Sequence, residues 1–203
     1  MRSEIAIVGD VHGNLGALEI LIDKAANRAA TFVFVGDYIN RGSQSAMVLD
    51  YLIHLSRGPR NCIFLKGNHE AEFLAFLKGG SIVKFLLIGG AATLSSYVAD
   101  SDMLEEADYR SLVPDEHVQF LRELVPYYQH RELLVTHSLT DPTPPQFDGE
   151  DRALFHVAGH VPQASREPSI TDSFCLLDTG CGTWQDGPLT CFFWPSRTWI
   201  QAT

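Results

Sequence analysis

The chain is short of basic residues. It carries 15 Lys and Arg against 25 Asp and Glu, for a formal net charge of −10, and no basic run breaks that balance. A protein that grips nucleic acid through its phosphates needs clustered cations, so nucleic acid is excluded as the main partner. Long hydrophobic runs are also missing. The most apolar later stretch, Ile82 to Leu94, is interrupted by Lys84, Gly89 and Gly90 and is too short to span a bilayer. The start, MRSEIAIVGD, has no apolar core followed by a small-residue cleavage site, so no secretory signal is expected. Cysteine is sparse. Cys62, Cys175, Cys181 and Cys191 form no CxxC pair, and three sit in apolar runs. They read as small buried hydrophobes in a reducing compartment, and the expected location is cytoplasmic.

What is present is ordinary globular composition, with 45% hydrophobic and 20% charged residues over 203 positions. No repeat, low-complexity tract or composition shift marks a linker, so residues 1–203 are expected to form one domain. Ile5–Val8, Thr31–Val35 and Cys62–Leu65 read as strands. Between them Leu15 to Ala29 has helical spacing behind an Asn14 cap, and a second helix follows a Ser43 cap. This β-α-β-α-β order predicts a parallel sheet. Residues 70–125 read as helices broken at Gly79-Gly80 and Gly89-Gly90, with Pro114 at the first turn of the last. Beyond them, Leu133–Thr136, Phe155–Ala158, Phe174–Leu177 and Leu189–Phe193 read as strands. Residues 139–151 read as a loop.

The chemistry collects at strand ends. The first three strands run into Gly9-Asp10-Val-His12-Gly13, Gly36-Asp37-Tyr-Ile-Asn40-Arg41-Gly42 and Gly67-Asn68-His69-Glu70, and two later ones into Thr136-His137 and Gly159-His160. Ligands of open parallel sheets bind at the carboxyl ends of the strands. An Asp after a strand is ordinarily a turn former, and a lone His ordinarily a packed one. Two Asp, two Asn and four His on a single rim are not explained that way. Carboxylate with imidazole suits Mn, Fe, Zn or Co, and the absence of Cys ligands argues against a closed structural zinc site. The set is large enough for two ions, which can hold a hydroxide and both sides of an in-line phosphoryl displacement. The guanidinium fork of Arg41, four residues past Asp37, suits phosphate oxygens.

The succession GDVHG, GDYINRG, GNHE, a His after an apolar strand, then GH resembles the calcineurin-like metallophosphoesterases. It is most similar to their phosphoprotein phosphatase branch, including small bacterial and phage serine/threonine protein phosphatases and symmetrical dinucleoside tetraphosphatases. The likeness runs from Ile5 to Phe193 and takes in Gly89–Tyr97 and Asp178-Thr-Gly180. It implies an α/β (α+β) fold, a two-layer β-sandwich flanked by helices. It implies two divalent metal ions, Mn²⁺ first among Mn, Fe, Zn, Co and Ni. Asp10 and His12 would bind one ion, Asp37 would bridge, and Asn68, His137 and His160 would bind the other. His69 would protonate the leaving oxygen, with Asn40 beside it, while Arg41, Asn68 and Arg152 would contact the phosphate. The implied activity is hydrolysis of phosphomonoesters, as in phosphoproteins carrying phosphoserine, phosphothreonine or phosphotyrosine, by attack of a metal-bridging hydroxide. The alternative is a dinucleoside polyphosphate or nucleotide hydrolase, for which Tyr38, Tyr127, Tyr128 and Trp184 are candidate base-stacking residues. A non-catalytic phosphate-binding module is the third reading.

Three features depart from the family pattern. Asn40 stands where the family has Asp; an amide orients an imidazole but stabilises its cation less than a carboxylate does. His137 is followed by Ser138-Leu139 instead of Ala-Gly. Only 22 residues separate His137 from His160, and Arg152 is the one Arg among them.

Overall fold

The computed structural model describes residues 4–98, 109–142 and 154–203. Two five-stranded sheets carry the fold. The first has the order β10-β9-β1-β2-β3, where β1 is Glu4–Val8, β2 Ala29–Phe34, β3 Asn61–Phe64, β9 Leu189–Trp194 and β10 Thr198–Ala202. Its β1, β2 and β3 are parallel, as the alternating strands and helices predict, and β9 and β10 extend it antiparallel. The second has the order β4-β5-β6-β8-β7, from Tyr127–His130 (β4), Leu133–Thr136 (β5), Phe155–Ala158 (β6), Ser169–Ile170 (β7) and Phe174–Leu176 (β8).

Alternation along the strands divides the apolar residues between two cores. Ile5 and Ile7 of β1, Val33 of β2 with Val35 after it, and Phe192 of β9 face the second sheet. There they pack with Leu133, Val135, Phe155 and Val157. Their neighbours Ala6, Val8, Phe32, Phe34 and Phe193 face the other way. They pack under helices α1 (Leu15–Ala25) and α2 (Ser45–Ser56), through Leu18, Leu21, Val48 and Leu52. The result is two sheets face to face with helices against the outer face of one. Phe192 is fully buried between the sheets and stacks on Phe155 with centroids 5.9 Å apart. Phe192→Ala is expected to lower unfolding free energy by about 3–5 kcal/mol in denaturant titration. A loss below about 1 kcal/mol would mean that the sheets do not pack as described.

Several boundaries differ from the sequence reading. Asn14 caps α1, its side chain accepting from Ala17 N at 3.1 Å, but the helix ends at Ala25, four residues early. Helix α2 starts from Gln44, not Ser43, and no side chain caps it. Between β3 and β4 lie α3 (Asn68–Leu77), α4 (Ile82–Leu87), α5 (Gly90–Ser95), α6 (Tyr109–Leu112) and α7 (Asp115–Glu123), with Pro114 as the cap of α7. Strands β4, β7 and β10 were not expected. Among the described residues no helix is long and apolar enough to cross a membrane.

Candidate metal centre

Five strand-to-loop junctions from the two sheets converge. Asp10 and His12 follow β1, and Asp37, Asn40 and Arg41 follow β2. Asn68 and His69 open α3 after β3, while His137 follows β5 and His160 follows β6. His12, Asp37, Asn40, Arg41 and His160 all have positive φ, between 43° and 70°. This conformation is unfavourable for non-glycine residues and is tolerated where the surroundings impose it. Glycines permit two of the closest approaches. A Cβ on Gly67 would stand 2.1 Å from Asp37 Oδ1, and one on Gly159 would stand 2.0 Å from Asp10 Oδ1.

The imidazoles are oriented by the backbone. His12 Nδ1 lies 3.0 Å from the Ile39 carbonyl, and His137 Nδ1 lies 3.0 Å from that of Val35. A carbonyl only accepts, so both rings carry their proton on Nδ1, and Nε2 presents a lone pair. His12 Nε2 is buried with no hydrogen-bond partner and lies 3.8 Å from Asp37 Oδ2. His137 Nε2 faces Asn68 Oδ1 at 3.0 Å and Asp37 Oδ1 at 3.4 Å, and His160 Nδ1 faces the same Asn68 oxygen at 3.0 Å. Lone pairs thus converge on one another with Asp37 between them. Among the described residues two groups have ligand atoms close enough to share an ion, His12-Asp37-His69 and Asp37-His137-His160. A divalent cation is what such a donor set fits.

The electrostatics agree. Burial pushes the Asp10 carboxyl well above the carboxylate range, and the charges of Asp178 and Asp37 add to it. Burial, then Glu70, does the same to Asp37. Burial lowers His69 to about 3, with Arg41 adding to the effect, and His137 to about 4, with His160 adding. The centre therefore holds neutral imidazoles beside carboxyls that resist ionising until positive charge arrives.

Asp10 lies outside both three-residue groups. Its two oxygens accept from the His160 backbone N–H, at 3.2 and 3.0 Å. His69 lies inside one, but its Nδ1 is 2.8 Å from Asn40 Nδ2. Asn40 Oδ1 meanwhile accepts from the Thr93 hydroxyl at 2.7 Å, which fixes the amide so that Nδ2 donates to His69. The His69 proton then sits on Nε2, 3.6 Å from Asp37 Oδ2. His69 offers the centre a proton, not a lone pair.

Arg41 donates to the Thr183 hydroxyl. It lines a cavity of about 400 Å³ together with Asp37, Asn68, His69 and His160. Arg152 lies outside the described residues. The candidate stacking residues are not in this cavity. Tyr38 is fully buried and donates to the Leu65 carbonyl at 2.7 Å, and Tyr127 and Tyr128 belong to β4.

Two carboxylates here had no assigned role from sequence. Buried Glu70 accepts from the N–H groups of Asp37, Tyr38 and Gly67 at 2.9, 2.9 and 3.0 Å, which holds the second loop against the third. Its place in GNHE was the available signal. Asp178 is buried, with Oδ1 accepting from Gly180 N at 2.9 Å and Oδ2 unpaired.

The family described as calcineurin-like phosphoesterase matches residues 3–187. A PP2A-like serine/threonine-protein phosphatase of Candida albicans is 28% identical over 102 residues, which are 49% of this chain and 24% of that protein. A protein phosphatase 2A of Dictyostelium discoideum is 35% identical in its catalytic polypeptide over 81 residues, 39% of this chain and 26% of that protein. The matches thus span about a quarter of the length of these curated relatives. Among solved structures, one assigned as a diadenosine tetraphosphatase superposes with TM-score 0.68 at 21% identity, covering 98% of this chain and 93% of that one. That likeness concerns the fold.

Proposed function

This chain belongs to the calcineurin-like phosphoesterase family, and from that premise we propose that it is a dinuclear metal-dependent phosphatase of phosphomonoesters, acting on phosphoproteins. The observation that carries the reading is the convergence of the His12 and His137 lone pairs on the two oxygens of Asp37, with Asn68 Oδ1 facing His137 and His160 beside it, a donor set that fits two ions sharing one carboxylate. Asp10 and His12 would hold one ion, Asp37 both, and Asn68, His137 and His160 the second. Asp10 takes the place of His69 in the first set because the His69 Nε2 carries a proton. The ions, with Mn²⁺ the first to test, would supply an activated water and offset the charge of the phosphate. Arg41 would clamp the phosphate oxygens. His69 would turn its Nε2–H on the departing oxygen and, once protonated to the imidazolium beside the bound phosphate's charge, give that proton and be left as the neutral ring, and Asn40 would keep the ring turned for that transfer. The reading takes residues 1–203 as one unit. It also takes the protein as cytoplasmic, in keeping with its four unpaired cysteines.

The test is product analysis with added Mn²⁺ on matched phosphoserine, phosphothreonine and phosphotyrosine peptides and on diadenosine tetraphosphate. Inorganic phosphate from the peptides is expected. Nucleoside diphosphates from the dinucleotide as the main product would transfer the assignment to dinucleotide hydrolysis. Metal uptake without any product would mean a phosphate-binding module.

Metal loading should also stabilise the fold. A site holding Mn²⁺ at about 100 times its Kd gains about 2.7 kcal/mol, or about 5–10 °C in Tm for a chain of this size. Protons compete for Asp10 and Asp37, whose folded values are raised, so the shift should shrink as pH falls through that raised range. The imidazoles of His69 and His137, at about 3 and 4, do not compete there. Without metal the trend runs the other way. Above about pH 4 the unfolded chain has released carboxyl protons that the fold still holds, so these two groups destabilise the stripped protein as pH rises. Scanning calorimetry at several pH values, with chelator or with Mn²⁺, checks both signs. A Tm indifferent to metal at pH 7.5 would contradict the site.

A further inference from the structure

The cavity has a wall that phosphate chemistry does not use. Helix α4 is anchored by Phe85, which is fully buried and stacked on Phe73, with ring centroids 4.9 Å apart. A residue two positions on lies about 200° round the helix. Leu87 accordingly faces away from that anchor and is 81% exposed. It is not an isolated surface leucine, because it lines the same cavity as Asp37, Arg41 and His160. Its position is tied to the phosphate side of the cavity. Arg41 N donates to the Gly89 carbonyl at 3.3 Å, and Asn40 Nδ2 to the Ile88 carbonyl at 3.4 Å. A Cβ on Gly89 would stand 3.2 Å from Arg41 Cγ. The end of α4 and the phosphate-clamping loop are therefore in direct contact. Arg41 is the only Lys or Arg among the described lining residues.

We propose that Leu87 is a specificity-determining residue, an apolar wall against which the leaving group of the ester lies, and that it selects aryl phosphates over small alkyl phosphates. This rests on the phosphatase reading above. With the phosphate against Arg41 and the centre, the rest of the ester must occupy the remainder of the cavity, and Leu87 is the exposed apolar side chain there. A flat ring laid on it removes apolar surface of both from water. A methyl group has too little surface to gain by the same contact.

The test measures kcat/KM of the Mn²⁺-loaded protein for phenyl phosphate and methyl phosphate. Leu87→Ser is expected to lower the phenyl value about tenfold, mostly through KM, and to leave the methyl value within about twofold. Leu87→Phe should keep the phenyl preference. Val83→Ser, on the same helix but outside the cavity, should change neither. The substitutions are on exposed positions, so folding is not at stake. An unchanged phenyl-to-methyl ratio in Leu87→Ser, with the wild type active, overturns the role of Leu87 and leaves the phosphatase reading standing. A wild type that takes up Mn²⁺ and turns over neither ester overturns both.

Discussion

Asp37→Asn is expected to reduce kcat/KM at least about 10³-fold on every phosphoester, the scale of losing a principal electrostatic stabiliser of the transition state. The reason is geometric. Asp37 presents Oδ2 to His12 and Oδ1 to His137, at 3.8 and 3.4 Å, so it is the one side chain belonging to both candidate groups. Asparagine keeps its shape but has one acceptor oxygen and no charge. The fold should survive, because Glu70 bonds the backbone N–H of residue 37 and not its side chain. Circular dichroism and melting of the stripped variant check that point separately. An Asp37→Asn protein with near wild-type turnover would mean that the two groups do not act as one centre.

His69→Asn should have the next largest effect, and a selective one. Removing a positioned general acid lowers kcat by about 10²–10⁴-fold where the leaving oxygen needs a proton. An alkoxide does. A phenolate, whose conjugate acid has a pKa of about 10, needs it much less, so phenyl phosphate should lose far less than methyl phosphate. Asn40→Asp then probes how the acid is tuned. Here the Asn40 amide donates to His69 Nδ1, which sets the Nε2–H tautomer but offers the imidazolium nothing. A carboxylate at position 40 would accept from Nδ1–H and favour the cation. Its contact to the Ile88 carbonyl would be lost. Turnover of methyl phosphate should therefore rise relative to phenyl phosphate in Asn40→Asp. An unchanged ratio would show that residue 40 does not govern the acid.

The parts of the fold that could be read from sequence were those in which local pattern and tertiary role coincide. β1, β2 and β3 are apolar runs that end in a glycine or a polar cluster; Ile5–Val8 of β1 and Phe32–Phe34 of β2 are buried between the other sheet and the helices, and β3, at the edge of its sheet, is half-buried from Cys62 to Phe64. Asn14 was legible as a cap because its side chain makes the bond locally. Strands β4, β7 and β10 were not, since short edge strands such as Tyr127–His130 and Ser169–Ile170 are created by their pairing partners more than by propensity. The start of α2 at Gln44 had no capping side chain to announce it.

The site divides in the same way. Asp10, His12, Asp37, Asn68, His69, His137 and His160 were readable because chemistry-bearing types recur at strand ends, and the structure brings them together. Asp178 and Leu87 were not. Asp178 shows its unpaired buried oxygen only after β8 is laid beside β6. Leu87 looked like one more apolar residue of a helix until the packing of Phe85 turned it outward.

The central claim is that one carboxylate joins two ion sites, and stoichiometry tests it most directly. Stripped wild-type protein and Asp37→Asn would each be titrated with Mn²⁺ at pH 7.5 by calorimetry, with bound metal counted after desalting. The account expects two ions per wild-type chain and fewer than one retained by the variant. Two ions held equally well by both proteins, or none by the wild type, would contradict it.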